Sequence, residues 1–405
     1  MKPIVRAGRM KPVHSDIRGP LFVEAMKRQK QGIDILKLNT GNPATFGFGL
    51  PDSIKNALIE HMQDGVGYCD FKGMPQARQA ICDYETSKGI KGITSDDVFI
   101  GNGVSEVVSF ALTPLLNDGD EVLVPSPSYS LWGNSVYLED GKPVFYTCDE
   151  QANWYPDIQD IRSKITDKTK AIVIINPNNP TGVLYPKELL LEIIQIARES
   201  GLLIFADEIY DRLVMDGKQH ISLASLTEDV PVITLNGLSK SHCLCGYRCG
   251  WMVISGPREL TEDYRQGIIQ LTSLRLCANT MAQIVIPVAL DDMDTPASMV
   301  RPGGRIYEQR EATVCELEKI DGLSFVKNDA AFYVFPKLDV KKFNITNDKQ
   351  FAHDLLDATN ILLVPGSGFD WKDPDHFRIV MLPQADILSD AIRRMGTFLD
   401  GYKQK

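Results

Sequence analysis

The sequence lacks long hydrophobic runs, an excess of positive charge and internal repeats. No uninterrupted apolar run reaches the roughly 18 residues that a membrane-spanning helix needs, so we expect no membrane span. Lys and Arg number 43 against 53 Asp and Glu, and the resulting net charge of −10 is the opposite of what a nucleic-acid backbone attracts. Without a repeat of roughly 20 to 50 residues, solenoids and propellers are excluded.

Cysteine is also sparse, with eight residues in a chain of 405. A chain of this length does not need a disulfide framework, and we expect these cysteines to be reduced thiols. The first residues, MKPIVRAGRMKPVH, contain basic side chains but no apolar segment of a secretory signal. With 43% hydrophobic and 24% charged residues, the composition is that of a globular protein, and we expect it to be cytoplasmic.

Short runs of aliphatic residues alternate with helical patterns in the middle of the chain. The candidate strands are 98–100, 121–124, 171–175, 202–206, 232–235 and 251–254. Between two of them, residues 187–200 (KELLLEIIQIARES) place apolar side chains at helical spacing. Strands that are apolar throughout and separated by helices predict an α/β fold, with a mostly parallel central sheet covered by helices.

The last part of the chain has a different pattern, which predicts a second, smaller α+β domain. A helical pattern follows RPGG at 301–304, and a further helix closes the chain. Alternating apolar patterns lie between them at 331–336, 361–364 and 377–381. We therefore predict a large domain over 51–290, a small C-terminal domain over 291–405, and an N-terminal arm with part of the small domain over 1–50.

Polar motifs follow several of the candidate strands. In open parallel sheets, ligands bind at the carboxyl ends of the strands. After the strand at 98–100, GNGVSEVV brings glycines into the start of a helix, which suits an anion held by backbone N–H groups. The later strands are followed by NPNNPTG, by DEIY and by NGLSK, with Arg248 eight residues beyond Lys240.

Each motif taken alone is weak. GNGVSE lacks the third glycine of a dinucleotide loop and has no GK[ST], while the other motifs also occur as turns and helix caps. Their joint order is the stronger signal, because it brings an anion cradle, an amide, a carboxylate, a phenol, a lysine and an arginine to one edge of the sheet. Tyr129, in PSPSYSLW, follows the strand at 121–124 and adds an aromatic ring.

In this order the motifs resemble the fold-type I, class I/II aminotransferases, which use pyridoxal 5′-phosphate. The resemblance runs from about Ile17 to the last helix. It implies that Lys240 is the Schiff-base lysine and that Asp207 pairs with the nitrogen of the cofactor ring. It also implies that Asn179 and Tyr210 hydrogen-bond the ring oxygen.

The same resemblance implies a phosphate site and a stacking partner for the cofactor ring. Val104 and Ser105 would hold the phosphate, with Arg248 as its charged partner, and Tyr129 would stack on the ring. Many relatives have a serine where this chain has Gly237, and we expect Ser239 to take over its contact with the phosphate.

Substrate binding and assembly are implied in the same way. Arg378, in HFRIVML, lies where the family binds the substrate α-carboxylate; Gly41, in NTGNP, lies where backbone closes over it, and Asn179 also contacts the substrate. Tyr68, in YCDFKG, resembles the tyrosine that reaches the phosphate of the neighbouring subunit, so a homodimer with shared sites is expected.

Three further segments, DIRGP, LNTGNPATFGF and GYCDFKGM, look most like alanine aminotransferases of the bacterial alanine-synthesising type. This likeness implies reversible conversion of L-alanine and 2-oxoglutarate to pyruvate and L-glutamate. Arg18, in the first segment, has two interpretations, a gate or carboxylate contact at the substrate site and a surface anchor of the arm. The partner of the second carboxylate of 2-oxoglutarate is not identifiable from the sequence.

Two other activities fit the same residues. A broad-range or aromatic aminotransferase would differ only in pocket shape, and a β-lyase on this fold would use the same lysine. A metal centre is not predicted, because Cys243, Cys245 and Cys249 crowd one loop and are expected to be packing thiols.

Overall fold

The protein, described over residues 2–405 by a computed structural model, contains one large sheet and several small ones. The strands are β1 (Leu36–Lys37), β2 (Val98–Asn102), β3 (Glu121–Ser126), β4 (Lys142–Asp149), β5 (Tyr155–Pro156), β6 (Thr169–Ile175), β7 (Leu203–Asp207), β8 (Val232–Gly237), β9 (Cys249–Ser255), β10 (Leu323–Ser324), β11 (Tyr333–Val334), β12 (Lys337–Leu338), β13 (Ile361–Leu362), β14 (Val364–Pro365) and β15 (Phe377–Val380). The helices are α1 (Pro20–Lys30), α2 (Asp52–His61), α3 (Pro75–Ser87), α4 (Val104–Leu112), α5 (Leu131–Leu138), α6 (Ile158–Lys164), α7 (Lys187–Ser200), α8 (Leu238–Ser241), α9 (Arg258–Arg275), α10 (Thr280–Ile284), α11 (Ile286–Asp291), α12 (Asp294–Val300), α13 (Arg305–Leu317), α14 (Asp348–Thr359) and α15 (Ala385–Leu399).

The large sheet has eight strands in the order β2-β9-β8-β7-β6-β3-β4-β5. The strands from β8 through β7, β6 and β3 to β4 are mutually parallel, whereas β9 is antiparallel to both of its neighbours and β5 is antiparallel to β4. All six predicted strands are present in this sheet. The predicted α/β fold with a mostly parallel central sheet is therefore confirmed.

Strands β4 and β5, at the edge of the sheet, were not predicted from the sequence. Along β4 the side chains of Lys142 and Asp149 are exposed, whereas Pro143 and Tyr146 are buried. A half-exposed edge strand lacks the continuous apolar run that reveals a strand buried on both faces. The antiparallel direction of β9 was missed as well, because an apolar run carries no information on strand direction.

Successive side chains of the central strands pack on opposite faces of the sheet, as the period of a β-strand requires. On one face, Ile172 and Ile204 pack with Leu190 and Ile193 of α7. On the other face, the neighbouring aliphatic and aromatic side chains pack against α4 and α9. Helix α7 spans the residues predicted for it, since its apolar stripe at helical spacing covers the sheet.

The C-terminal part builds small sheets covered by α13, α14 and α15. Strands β11, β15 and β14 form an antiparallel sheet, and β1 of the N-terminal arm pairs in parallel with β13. The arm also contacts helix α5, which carries Asn134. The backbone N–H of His14 donates to the side-chain oxygen of Asn134 at 3.1 Å, and the side-chain nitrogen of Asn134 donates to the backbone oxygen of His14 at 2.6 Å. The domain division at residues 50 and 290 stays a prediction.

Within the described residues 2–405, no single helix is long and apolar enough to cross a membrane. Arg258–Arg275 and Thr280–Asp291 meet the criteria of length and composition only as a pair, and a bend of 119° separates them.

Candidate active site

A cavity of about 850 Å³ opens at the carboxyl ends of β6, β7 and β8, beside the first turn of α4. Twelve of the thirteen predicted site residues line it: Arg18, Gly41, Val104, Ser105, Tyr129, Asn179, Asp207, Tyr210, Ser239, Lys240, Arg248 and Arg378. The exception is Tyr68, whose side chain lies outside the cavity and is 83% exposed. The sequence motifs that follow the strands thus meet in one place.

Lys240 lies in α8, the single helical turn that follows β8. Its Nζ donates a hydrogen bond of 3.0 Å to the carbonyl oxygen of Gly41 and lies 5.7 Å from the centre of the Phe332 ring. Among residues 2–405 no carboxylate forms a salt bridge with it. The amine therefore faces the cavity beside a neutral acceptor and an aromatic ring.

Asp207 ends β7 and is buried. Its carboxylate accepts hydrogen bonds from the indole nitrogen of Trp132 at 3.0 Å and from the backbone N–H of Ile209 at 3.4 Å. Within the described chain no cation pairs with it, and burial raises its pKa to about 6. A buried acid with no cationic partner suits a protonated ring nitrogen of a bound ligand.

The predicted ring-oxygen pair belongs to a longer chain of polar groups. The side-chain amide of Asn179 donates to the Tyr210 hydroxyl at 3.4 Å, and that hydroxyl donates to the hydroxyl of Tyr333 at 3.0 Å. Burial raises the pKa of Tyr210 well above its ordinary value, so this phenol stays protonated. Tyr333 was not predicted as a site residue, although it lies in the predicted segment 331–336.

Arg378 is 1% exposed and donates to the side-chain oxygen of Asn179 at 3.0 Å and to the backbone carbonyl of Asn39. Its guanidinium lies between the rings of Tyr333 and Phe369, 4.6 Å from each ring centre. The Nε atom is buried without a hydrogen-bond partner, and no acidic side chain of residues 2–405 pairs with the charge. A buried cation of this kind is suited to an anionic ligand.

Two glycines allow Arg248 to approach the N-terminus of α4. A Cβ atom on Gly103, whose φ is +82°, would lie 2.3 Å from Nη2 of Arg248, and one on Gly250 would lie 2.3 Å from the backbone nitrogen of Val104. Arg248 donates to a backbone carbonyl, and no acidic side chain in the described part of the chain pairs with it. A guanidinium beside a helix N-terminus forms an anion site.

The departure at Gly237 has a structural reason. A Cβ atom there would lie 2.5 Å from the backbone oxygen of Cys249 on the neighbouring strand β9. A serine in this position would require the backbone to shift, whereas Ser239 lines the cavity.

A buried ion-pair network lies behind the segment that follows β7. The ammonium of Lys88 is 2.6 Å from Glu85, 2.9 Å from Glu208 and 3.2 Å from Asp211. Glu208 and Asp211 also lie near His220 in an arrangement whose polar atoms resemble a metal site. Because the lysine already supplies a cation to both carboxylates, we interpret the cluster as support for this segment.

The three clustered cysteines have three different contacts. The Sγ of Cys249 lies 2.7 Å from a backbone carbonyl, that of Cys243 lies 3.9 Å from a methionine sulfur, and that of Cys245 lies 3.1 Å from an asparagine oxygen. The thiols thus do not converge on a common point.

The residues that sequence reasoning missed are Trp132, Tyr333 and Asn39. Each is hydrogen-bonded to a predicted site residue that is distant in the sequence. The separations are 75 residues for Trp132 and Asp207, 123 for Tyr333 and Tyr210, and 339 for Asn39 and Arg378. Among these three residues, only Trp132 offered a local signal in the sequence, since it lies three residues after Tyr129. Arg18 lines the cavity with an exposed side chain and forms no hydrogen bond to the rest of residues 2–405.

The comparisons with known proteins agree with this geometry. The family model for aminotransferase class I and II matches residues 33–392. The glutamate-pyruvate aminotransferase AlaA of Haemophilus influenzae is 50% identical over 404 residues, covering 100% of both chains.

Two solved structures are similar over nearly the whole chain. The crystal structure of an aminotransferase from Escherichia coli has a TM-score of 0.98 and 47% identity, covering 100% of both chains. The alanine aminotransferase of Pyrococcus furiosus has a TM-score of 0.93 and 40% identity, covering 98% of this chain and 100% of the other.

A buried acid without a cation, a buried arginine without an anion and a glycine-lined cradle beside a second arginine fit pyridoxal 5′-phosphate and an amino-acid carboxylate. The matched family covers most of the chain, and its relatives cover all of it. The chain belongs to the class I and II aminotransferases, which are transaminases that depend on pyridoxal 5′-phosphate.

Proposed function

We propose that this transaminase is an alanine aminotransferase, which converts L-alanine and 2-oxoglutarate reversibly to pyruvate and L-glutamate. The names of the Haemophilus influenzae and Pyrococcus furiosus relatives support this substrate pair. The observation that carries the proposal is that Arg378, buried without an acidic partner, faces the same cavity as Lys240. An amino-acid carboxylate bound there would lie beside the lysine amine.

Each group of the cofactor has a proposed partner in the cavity. The phosphate would be held by the N-terminus of α4, the ring nitrogen by Asp207, and the ring oxygen by Asn179 and Tyr210, while Tyr129 would stack on the ring. The residues proposed for the phosphate are Val104, Ser105, Ser239 and Arg248. When bound, pyridoxal 5′-phosphate supplies a conjugated ring that accepts the electrons released when the substrate Cα loses its proton.

Lys240 has the proposed roles of attachment point and proton carrier. Its amine forms no salt bridge with an acidic side chain of residues 2–405 and donates a hydrogen bond to the backbone oxygen of Gly41. Released from the cofactor by the substrate amino group, Nζ would accept the proton from the substrate Cα. Asp207 would hold a proton on the ring nitrogen, and Tyr210 would hold one toward the ring oxygen.

Arg378 is the proposed partner of the substrate α-carboxylate, together with Asn179 and the backbone at Gly41. The planar guanidinium can donate two parallel hydrogen bonds to a carboxylate. Its two aromatic neighbours and the hydrogen bond to Asn179 already restrict its orientation. Little orientational freedom would remain to be lost when the substrate binds.

Arg18 has two proposed roles, a gate or carboxylate contact at the substrate site and a surface anchor of the arm. Its exposed side chain lines the cavity, and the arm that carries it is attached by hydrogen bonds between His14 and Asn134. A contact with the second carboxylate of glutamate would use the charge of Arg18 directly. A gate or an anchor of the arm would use only its position.

We also propose a cytoplasmic homodimer in which Tyr68 reaches the neighbouring subunit's phosphate site. The hydroxyl of Thr280 donates to the backbone oxygen of Gly65 at 2.7 Å, so the segment that carries Tyr68 runs beside the turn after α9. This surface exposes several large side chains, Met62, Val66, Tyr68, Leu274 and Leu276. An apolar surface of this kind favours contact with a second chain.

The first prediction tests the reaction. Addition of L-alanine without any oxo acid is expected to change the visible absorption of the bound cofactor and to release a single equivalent of pyruvate per site. Addition of 2-oxoglutarate is expected to restore the original spectrum. Lys240→Ala is the control, and we expect it to abolish this cycle because the proton carrier is missing.

The alternatives predict other results in the same experiment. A β-lyase would release pyruvate together with ammonia from a substrate with a β-thiol leaving group. An aromatic aminotransferase would respond to L-phenylalanine and not to L-alanine. A Lys240→Ala variant that transaminates at the wild-type rate would contradict the assignment of this lysine.

The second prediction concerns the buried carboxyl of Asp207. In the unfolded chain it ionises near its ordinary pKa of 3.8, whereas in the folded, cofactor-free protein its pKa is about 6. Between these values the folded state retains a proton that the unfolded state has released, so stability falls as pH rises toward 6. The lost stability does not return above pH 6.

Asp207→Asn is therefore expected to make the cofactor-free protein more stable than the wild type above pH 6, by roughly 1–3 kcal/mol. The difference should shrink as pH falls toward 4. Turnover should fall by about 100-fold or more, because the charge opposite the ring nitrogen is lost. Urea unfolding across this pH range measures the first effect, and a variant no more stable than the wild type at pH 8 would be evidence against it.

The third prediction separates the two interpretations of Arg18. If the side chain binds the second carboxylate, Arg18→Gln raises KM for glutamate and 2-oxoglutarate about tenfold or more and leaves KM for alanine and pyruvate unchanged. A gate or an anchor would change all four constants together. Arg9→Gln, in the same arm and paired with exposed Asp140, is the matched control and should change none of them.

The fourth prediction tests whether Tyr68 acts across subunits. Lys240→Ala and Tyr68→Ala chains are purified separately and as a mixed dimer carrying two affinity tags. If Tyr68 completes the partner's site, the mixed dimer contains one intact site and shows about half of the wild-type activity per dimer. If Tyr68 acts within its own chain, the mixed dimer is no more active than the Tyr68→Ala dimer.

A further inference from the structure

Tyr333 lies at the meeting point of three groups that the proposed function uses. Its side chain is 2% exposed and lines the cavity from β11. Its hydroxyl is 3.0 Å from that of Tyr210, and its ring is 4.6 Å from the guanidinium of Arg378. A Cβ atom added to Gly41 would lie 2.3 Å from the Tyr333 hydroxyl, so only glycine leaves room for that hydroxyl.

The hydrogen bonds that link the hydroxyls of Tyr210 and Tyr333 leave one hydroxyl proton without an acceptor. The Tyr210 oxygen accepts from the Asn179 amide and donates its own proton to the Tyr333 oxygen. The proton of Tyr333 has no acceptor among residues 2–405. Buried hydroxyl protons are rarely left without an acceptor, and this one borders the cavity in which the cofactor is proposed to bind.

The direction of this chain can reverse once Tyr210 has another acceptor. If the ring oxygen of the cofactor accepts a hydrogen bond from Tyr210, the Tyr210 oxygen is free to accept a hydrogen bond from Tyr333. A phenol that accepts a hydrogen bond becomes a stronger donor, because adjacent hydrogen bonds polarise one another. Tyr333 would then strengthen the contact of Tyr210 with the ring oxygen.

We propose that Tyr333 is a positioning residue, which acts on the cofactor's ring oxygen through Tyr210 and never touches it. This inference rests on the role proposed above for Tyr210. The ring of Tyr333 has a separate role in packing against Arg378, and Tyr333→Phe keeps that ring while removing only the hydroxyl. Four charged or titratable side chains lie around Tyr210 and Tyr333. They are Arg378, Asp207, Tyr129 and Lys240.

The test is a pH titration of the visible absorption of the cofactor-loaded protein without substrate. A donor at the ring oxygen stabilises negative charge there and lowers the basicity of the nitrogen that joins the cofactor to Lys240. Loss of the Tyr333 hydroxyl should therefore raise the pH midpoint of the absorption change, by about 0.5 to 1 pH unit. Tyr264→Phe, which removes a half-buried hydroxyl bonded to a backbone carbonyl outside the cavity, should leave the midpoint unchanged.

A double-mutant cycle tests whether the effect passes through Tyr210. Tyr210→Phe alone should raise the midpoint more than Tyr333→Phe, and adding Tyr333→Phe to it should produce no further change. Additive shifts, or a Tyr333→Phe midpoint equal to that of the wild type, would overturn the inference while leaving the role of Tyr210 intact. A wild-type midpoint in Tyr210→Phe would overturn the role of Tyr210 and this inference together.

Discussion

The parallel hydrogen bonding of β6, β7 and β8 is the constraint on which the rest of the structure depends. Ile175 pairs with Asp207, and Asp207 pairs with Leu235, so the three strands end side by side. Their faces are covered by helices, which leaves the carboxyl edge as the place where polar side chains accumulate. Asn179, Asp207 and Lys240 meet there because Asp207 ends its strand and the other two follow theirs by only a few residues.

The edge carries charges that the described chain does not neutralise internally. Asp207 accepts hydrogen bonds but forms no salt bridge, and Arg378 and Arg248 have no acidic partners within residues 2–405. The two buried groups, Asp207 and Arg378, lower the stability of the cofactor-free protein, since a buried charge is costly until it is paired, whereas Arg248 is exposed. A phosphate, a ring nitrogen and a carboxylate would supply the missing partners, so the site is organised around ligands.

Two kinds of support hold these groups in place. Behind the segment after β7, the ammonium of Lys88 joins three buried carboxylates, which fixes the backbone that carries Asp207 and Tyr210. On the cavity side, the aromatic rings of Tyr333 and Phe369 hold the guanidinium of Arg378. The first support comes from α3 and the segment after β7, and the second from β11 and the turn after β14, so the cavity depends on both parts of the chain.

The sequence by itself determined the α/β fold, the six apolar strands and the motifs that follow them, because buried strands and strand-end motifs are local patterns. The edge strand β4 was not predictable, since it is half exposed, and neither was the antiparallel direction of β9. Only the tertiary structure brought Trp132 to Asp207 and Tyr333 to Tyr210, across 75 and 123 residues. Contacts of this range depend on how the elements pack, and no short segment of the chain encodes them.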